Sequence, residues 1–291
     1  MRFGRPARCN GLGCRSAAGG GLVYVLQPLF CSHDRSVVRH VRLRARAGAT
    51  CLAWGAAVLT PTAAASSIAA DPGVVWIGRF TDGLAGWREV QLDSKVERNA
   101  FRARSWDGAA AVEVVSRRSM SLLARPVTVD LKATPVLCWR WRVDAPLAAA
   151  DLTTRRGDDY AARVYVSLSI PRAEQGVALR TQLGLARTIW GAEVPDAALN
   201  YVWDNRQPVG TTRPNAYTDR AMMIVLRSGA GDAGRWVWER RDVAADARAH
   251  FGPSAVPVQV AITADTDNTG ESARAGFADL HFVARQASCH T

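Results

Sequence analysis

Lysine is almost missing from this sequence, because only Lys95 and Lys132 occur among its 37 basic residues. The net charge of +11 is unevenly placed: residues 1–70 hold nine arginines and one acid, whereas the rest of the chain holds 28 basic and 25 acidic residues. After residue 70 the arginines are interspersed with carboxylates and form no basic stripe. A nucleic-acid-binding surface is therefore not expected.

The standard catalytic and metal-binding motifs are also missing. There is no G-x-S-x-G, no H-E-x-x-H, no phosphate-binding loop and no repeated C-x-x-C pair. After residue 70 the only histidines are His250, His281 and His290. A Ser-His nucleophile and a His-rich metal site are disfavoured, which leaves carboxylates, arginines, tyrosines and tryptophans as candidate functional groups.

Cysteine is scarce in the main part of the chain, where only Cys138 and Cys289 occur. In an exported protein these two residues can form a disulfide. A buried free thiol fits Cys138 equally well, since it lies in a strand-like segment beside Trp139. The sequence alone leaves both states open.

Residues 1–70 predict a disordered leader and a secretory signal peptide. A basic segment (39–46) is followed by an apolar one (49–59) and by small residues. The apolar run is shorter than the roughly 20 residues that span a bilayer, and the small residues fit a signal peptidase site. We expect cleavage near Ala65 or Ala70, a periplasmic or secreted protein and no membrane span after cleavage. The alternative is a disordered tail rich in arginine and alanine.

Residues 71–291 predict a single all-β domain, an antiparallel β-sandwich with one or two short helices. About a dozen short apolar segments are separated by Gly and Asp turns, as is typical of sandwiches. The strands do not alternate with helices along the sequence, so a parallel sheet is disfavoured. Residues 242–251 predict a helix with Asp242 as N-cap and Gly252 at its end. Residues 173–189 are either a helix or an ordered loop.

Two segments, 137–143 and 160–168, show the period-2 alternation of half-buried strands. One side of each segment is apolar, with Trp139 and Trp141 in the first and Tyr160 in the second. The other sides carry polar residues, namely Arg140, Arg142, Asp159, Arg163 and Tyr165. We interpret the pair as the centre of one sheet, with one face on the core and one polar face.

An oxygen-rich turn follows the apolar segment 256–263. Asp265, Asp267 and Asn268 place hard donors around one point, which is typical of a structural calcium loop. Glu271 or a backbone carbonyl would complete such a site. The alternative is a turn whose Asp and Asn side chains bond to their own backbone.

The pattern resembles a bacterial family known as domain of unknown function 3047. The matching stretches are 137–143, 157–166, 201–205, 225–229, 239–243 and 263–270. The resemblance implies export and a jelly-roll-like sandwich similar to carbohydrate-binding modules. It implies no established activity.

Our first hypothesis is a module that binds a glycan or cell-envelope polysaccharide on the polar face. The expected ligand-binding residues line that face or lie at its edge, and they are Arg142, Asp159, Arg163, Tyr165, Trp203 and Asn205. A purely structural envelope protein is the alternative if the face is fully ion-paired and closed to solvent.

An enzyme that cleaves polysaccharide is the rival class. A lyase would use Arg163 with Tyr165 or Tyr201 as the group that moves the proton. A glycosidase would need two carboxylates, for which Asp159 and Asp265 are the candidates. Both are weaker hypotheses, because neighbouring arginines are expected to lower carboxylate pKa values and so to oppose a general acid.

Overall fold

The computed structural model describes residues 73–190 and 195–290. The predicted leader and signal peptide lie outside these residues. The described strands are β1 (Val74–Gly78), β2 (Arg88–Val90), β3 (Ala100–Trp106), β4 (Ala109–Arg117), β5 (Leu122–Pro126), β6 (Val136–Val143), β7 (Tyr160–Ser169), β8 (Ala197–Asp204), β9 (Thr212–Pro214), β10 (Ala221–Ser228), β11 (Val237–Asp242), β12 (Val256–Asp265) and β13 (Ser272–Val283). The helices are α1 (Val177–Trp190) and α2 (Val243–Phe251).

The strands form two sheets packed as a sandwich. The first sheet has the order β11-β6-β13-β4-β3, with β1 also pairing with β13, and the second has the order β2-β5-β12-β7-β8-β10-β9. From β4 to β7, and again from β11 to β13, successive strands alternate between the sheets. This interleaving is the jelly-roll arrangement. Only the β8–β10 pair is parallel among the described strands, so the predicted antiparallel sandwich is confirmed.

The two central segments do not share a sheet, which corrects the sequence interpretation. Strand β6 lies in the first sheet and β7 in the second, because the chain between them crosses from one sheet to the other. Their apolar sides meet in the core, and their polar sides point away from each other. Arg140 and Arg142 therefore lie on the outer face of the first sheet, while Arg163 and Tyr165 lie on the outer face of the second.

The core between the sheets is rich in aromatic rings. Trp139 and Trp141 are fully buried, as predicted, and their rings meet edge to face with centroids 5.6 Å apart. The Trp203 ring lies 5.8 Å from that of Trp141. Edge-to-face and tilted ring pairs stabilise a core by about 0.5–1.5 kcal/mol beyond the burial of their area. This packing fixes the strands that carry the polar outer face.

Both predicted helical stretches contain a helix. Asp242 caps α2 by accepting a hydrogen bond from the Ala245 amide at 2.9 Å, and Gly252 ends it with a φ of 98°, which favours glycine. Val243 and Ala247 of α2 are buried against the core. The segment that was either helix or ordered loop forms α1. No described helix is long and apolar enough to cross a membrane.

Cys138 and Cys289 form a disulfide, with their Cα atoms 5.6 Å apart. The bond attaches the C-terminal residues to β6. The sequence left open whether Cys138 is a buried free thiol or part of a disulfide, and the structure shows the disulfide. Cys138 points to the outer side of β6 and not into the core with Trp139.

Candidate functional site

A bulge in β7 shapes the outer face of the second sheet. Arg163 pairs with Thr263 and Tyr160 with Asp265, so three steps along β7 match two along β12. The extra residue breaks the period-2 alternation. Tyr160 consequently joins Arg163 on the outer face, whereas the sequence pattern predicted it on the core side.

Arg163 is the central cation of this face and is only 4% exposed. Its Nε donates to Asn200 Oδ1 at 3.2 Å, and its Nη1 donates to Asp265 Oδ2 at 3.3 Å. The guanidinium carbon lies 4.2 Å from the ring centroid of Tyr165 and 5.0 Å from that of Tyr160. Paired and stacked in this way, a guanidinium can remain charged inside the protein.

Asp158 lies beside this arginine. Its carboxylate accepts a hydrogen bond from the Tyr160 hydroxyl at 2.9 Å. Asn215 Nδ2 also donates to this carboxylate and lies 2.9 Å from Oδ1 and 2.8 Å from Oδ2. Burial raises the pKa of Asp158, although the nearby charge of Arg163 opposes the change. The effect of burial on the pKa of Asp158 is therefore larger than the opposite effect of the Arg163 charge.

Asp159 attaches the start of β7 to the loop between β12 and β13. Its Oδ2 accepts from the Thr269 amide at 2.6 Å and from the Thr269 hydroxyl at 2.7 Å. Its Oδ1 accepts from Asn268 Nδ2 at 3.1 Å and from the Asn268 amide at 3.3 Å. The side chain is fully buried, so these contacts fix the position of the loop.

Asp265 and Asp267 bring two more carboxylates to the same place. One oxygen from each of Asp159, Asp265 and Asp267 lies within 4.8 Å of the others. Burial is the largest cause that raises the pKa of Asp265 well above its usual value, followed by the charge of Asp159. Arg163 acts to lower the pKa of Asp158 and of Asp265, as expected, but burial outweighs it and both pKa values are raised.

The surface above this buried cluster is formed by three loops that meet at Tyr217. The Tyr217 hydroxyl lies 3.0 Å from the carbonyl oxygen of Arg155 and 3.0 Å from Asn268 Oδ1. The Arg155 guanidinium carbon lies 5.3 Å from the centroid of the Tyr217 ring. Tyr217 is partly exposed, and Arg155 and Asn268 are exposed. We call these three residues the rim.

Three of the predicted ligand-binding residues lie together but beneath the surface. Asp159, Arg163 and Tyr165 belong to the buried cluster, and none is more than 4% exposed. A bound molecule would meet the rim before it met them. Of the three, Asp159 contacts the rim directly, because it accepts hydrogen bonds from Asn268.

Arg142, Trp203 and Asn205 do not belong to this site. Arg142 lies on the opposite side of the sandwich, where it pairs with Asp107 and stacks 4.3 Å from the Trp106 ring. Trp203 is a core residue whose Nε1 donates to the Gly229 carbonyl at 3.0 Å. Because β8 is buried on both faces, alternation could not assign Trp203 to one side.

Asn205 holds a loop in place instead of lying at the edge of a binding face. Its Nδ2 donates to the carbonyl oxygens of Ala150 at 2.9 Å and of Ala148 at 3.2 Å. Both partners belong to the chain between β6 and β7. The contact therefore fixes the crossing between the two sheets.

The predicted calcium ligands are only partly brought together. Asp265 and Asp267 converge, but Asn268 turns its amide nitrogen toward Asp159 and its oxygen toward Tyr217. Glu271 is also engaged elsewhere, since its carboxylate accepts from the amides at positions 148 and 149 at 2.9 and 3.0 Å. Asp159, which the sequence suggested as a ligand-binding residue, is the third carboxylate of the group.

Sequence reasoning missed Asn200, Asn215 and Tyr217. Asn200 lies in a strand buried on both sides, so its pattern gives no signal. Asn215 and Tyr217 lie in the polar loop between β9 and β10, and the Asn215 side chain positions Tyr217 by accepting from its amide at 2.9 Å. An Asn in a polar loop is typical of an Asx turn, in which its side chain bonds the backbone two residues further on, and this was the available signal.

The fold and the site together define a jelly-roll β-sandwich with a buried polar cluster beneath a loop-built rim. The model of the family described as Protein of unknown function (DUF3047) matches residues 85–281. The chain belongs to this family, as its motifs predicted.

No curated protein matches the chain. Among solved structures, a similar one is the xyloglucanase domain of NopAA, a type three effector from Sinorhizobium fredii, in complex with cellobiose. The similarity has a TM-score of 0.32 and 8% sequence identity, and it covers 69% of this chain and 99% of that chain.

Proposed function

We propose that the protein is an exported glycan-binding protein that holds a polysaccharide at the rim. The observation that carries this proposal is Tyr217, a partly exposed residue held among polar groups by its hydroxyl contacts to Arg155 and Asn268. A small number of polar groups around an aromatic surface is the usual composition of a small-molecule site.

The chemistry of the rim suits a sugar. An aromatic ring offers an apolar face to the C–H side of a pyranose, and its polar edge stays hydrated. The exposed Arg155 guanidinium supplies donors for hydroxyl or carboxylate groups. Because the hydroxyl of Tyr217 is already held, little conformational freedom is lost when a ligand binds.

The geometry gives less support to a lyase. A tyrosine that removes a proton needs a lowered pKa, yet burial raises the pKa of Tyr165. Tyr201 is a core residue, and its hydroxyl donates to Asp246 at 2.8 Å. Neither tyrosine is placed to meet a polymer at the surface.

A glycosidase is likewise disfavoured. Its two carboxyl groups are about 5 to 9 Å apart and flank the scissile bond, whereas oxygens of Asp159 and Asp265 lie within 4.8 Å of each other. Both side chains are buried, and Asp159 accepts four hydrogen bonds from the loop between β12 and β13. A sugar ring has no room between them.

Export is part of the proposal and is supported by the disulfide between Cys138 and Cys289. Such bonds persist mainly in oxidising compartments such as the periplasm. The basic, apolar and small-residue segments of the leader support the same compartment. A role as a purely structural envelope protein would explain the closed cluster but not the partly exposed aromatic residue above it.

Affinity electrophoresis of the purified protein through gels that contain neutral or uronate-rich polysaccharides tests the proposal. At least one polysaccharide is expected to retard the protein, because the rim provides both a ring face and charged donors. Unchanged mobility in every gel would overturn the proposal and favour the structural alternative.

A further inference from the structure

The carboxylates beneath the rim carry more negative charge than the buried cations beside them can balance. Asp158, Asp159 and Asp265 are buried within one neighbourhood, and Asp267 is partly buried beside them. Arg163 is the buried cation that contacts this group. Several buried carboxylates around one guanidinium require a further positive charge or bound protons.

One carboxylate oxygen in the cluster has no hydrogen-bond donor. Asp265 is 3% exposed, and its Oδ2 accepts from Arg163, but its Oδ1 is buried without a partner. Buried polar atoms without a partner are rare in folded proteins, and a bound ion or water is a common reason for one. This oxygen belongs to a residue whose carboxyl group lies within hydrogen-bonding reach of the Asp267 carboxyl group, so its environment is acidic.

The spacing of the carboxylates suits a calcium ion. Calcium binds oxygen ligands at about 2.3–2.6 Å, so two oxygens on one ion lie at most roughly 5 Å apart. The oxygens of Asp159, Asp265 and Asp267 satisfy this limit, since they lie within 4.8 Å of one another. Calcium also tolerates irregular geometry and completes its shell with water, whereas magnesium needs a near-ideal octahedron.

We infer that Asp159, Asp265 and Asp267 bind one calcium ion. The ion would join the start of β7 to the loop between β12 and β13, and it would balance the charge that Arg163 leaves uncompensated. Asn268 and Glu271 are not among the assigned ligands, because their side chains are directed to other partners. Asp159 converges on the group but also accepts hydrogen bonds from Asn268 and Thr269, so it would exchange at least one of them for the ion. The inference is independent of glycan binding, since the ion lies below the rim and its binding is measured without a sugar.

Isothermal titration of chelator-treated protein with calcium chloride tests the inference. The wild-type protein is expected to bind one calcium ion. Asp267→Asn, which changes the least buried of the three ligands, should weaken binding roughly ten-fold or more. The matched control is Asp82→Asn, an exposed acid after β1, which should bind calcium as the wild type does.

Terbium luminescence excited through tyrosine gives a second measurement. The rings of Tyr160 and Tyr165 lie against Arg163, which in turn contacts Asp265 of the proposed site. Calcium should displace terbium from the wild type, and Asp265→Asn should reduce the signal. Circular dichroism establishes that each variant is folded. Absence of calcium binding by the wild type, or equal affinity in folded Asp267→Asn, would overturn the inference and leave bound protons as the balancing charge.

Discussion

Arg163 is the residue on which the buried polar cluster most depends. It is the partner of Asp265 and Asn200 and lies against two tyrosine rings. Charges so deeply buried stabilise a protein little relative to an apolar replacement of the whole group. Removal of one partner alone is costly, because it leaves the other charge unpaired in a dry environment.

Arg163→Met is therefore expected to destabilise the protein by about 3–5 kcal/mol. Methionine retains much of the length and apolar volume of the side chain, so the loss reports mainly on the unpaired Asp265 carboxylate. Urea denaturation followed by circular dichroism measures it. Arg102→Met, at an exposed position of β3, is the control and should change stability by at most about 0.5 kcal/mol. Equal stability of the two variants would contradict the role of Arg163.

His281 is a buried titratable residue on the other side of the sandwich. Its ring centroid lies 4.5 Å from that of Trp76, and its Nδ1 lies 2.6 Å from the Asp279 carbonyl oxygen. Burial lowers the pKa of His281, although the Asp279 carbonyl opposes this effect. The folded protein thus resists protonation of this ring more than the unfolded chain does.

Stability should consequently fall as the pH drops below about 6.5, the value at which an unfolded histidine titrates. The loss continues until the lower pKa of the folded state is reached, and each unit between the two values corresponds to about 1.4 kcal/mol. His281→Asn should flatten the dependence of the melting temperature on pH in this range. His290→Asn, at an exposed histidine, should keep the wild-type slope; the same slope in both variants would contradict the prediction.

At the scale of residues, alternation predicted side-chain burial well within regular strands and failed where strands were irregular. It placed Trp139 and Trp141 in the core correctly. It misplaced Tyr160, because a bulge adds one residue to β7. No sequence pattern announces that extra residue, since the bulge depends on the pairing with β12.

At the scale of elements, the strand β10 is what builds the rim. It pairs with β8 in parallel and so extends the second sheet beyond the jelly-roll strands. A parallel neighbour needs a long connection, and this connection contains β9, Asn215 and Tyr217. The short β9 (Thr212–Pro214) was not predicted from the sequence, because three residues give too little periodicity to detect.

The disulfide is the second element-scale feature, because it closes a covalent loop between β6 and the C-terminal residues over a sequence separation of 151. A native disulfide typically stabilises a folded protein by about 2–4 kcal/mol. Reductant should therefore lower the melting temperature of the wild type. The double variant Cys138→Ala with Cys289→Ala should start lower and show no response to reductant. An unchanged wild-type melting temperature in reductant would contradict this role.

The pairing of elements was harder to predict than their existence. Strands β6 and β7 were both predicted close to their observed bounds, yet they lie in different sheets. Each strand shows only that it has one apolar face, and either sheet of a sandwich satisfies that pattern. The expected single site was divided for this reason, with Arg142 on one side and Arg163 on the other.

At the scale of the whole molecule, the two outer faces of the sandwich differ in character. On the first sheet the arginines cover aromatic rings, with Arg142 and Arg274 at 4.3 and 4.2 Å from Trp106. On the second sheet a buried polar cluster lies beneath a rim with a partly exposed tyrosine. The rim places the partly exposed Tyr217 among polar groups that loops hold in position, so the proposed glycan binding depends on Tyr217.

The most direct test compares the retardation of Tyr217→Ala and wild type in gels that contain the polysaccharide that best retards the wild type. The variant is expected to bind roughly ten-fold or more weakly, a loss of about 1.4 kcal/mol, because the ring is removed while the buried cluster stays. Val209→Ala, at a side chain that is 64% exposed in the preceding loop, should bind as the wild type does. Retardation of Tyr217→Ala equal to that of the wild type would contradict glycan binding at the rim.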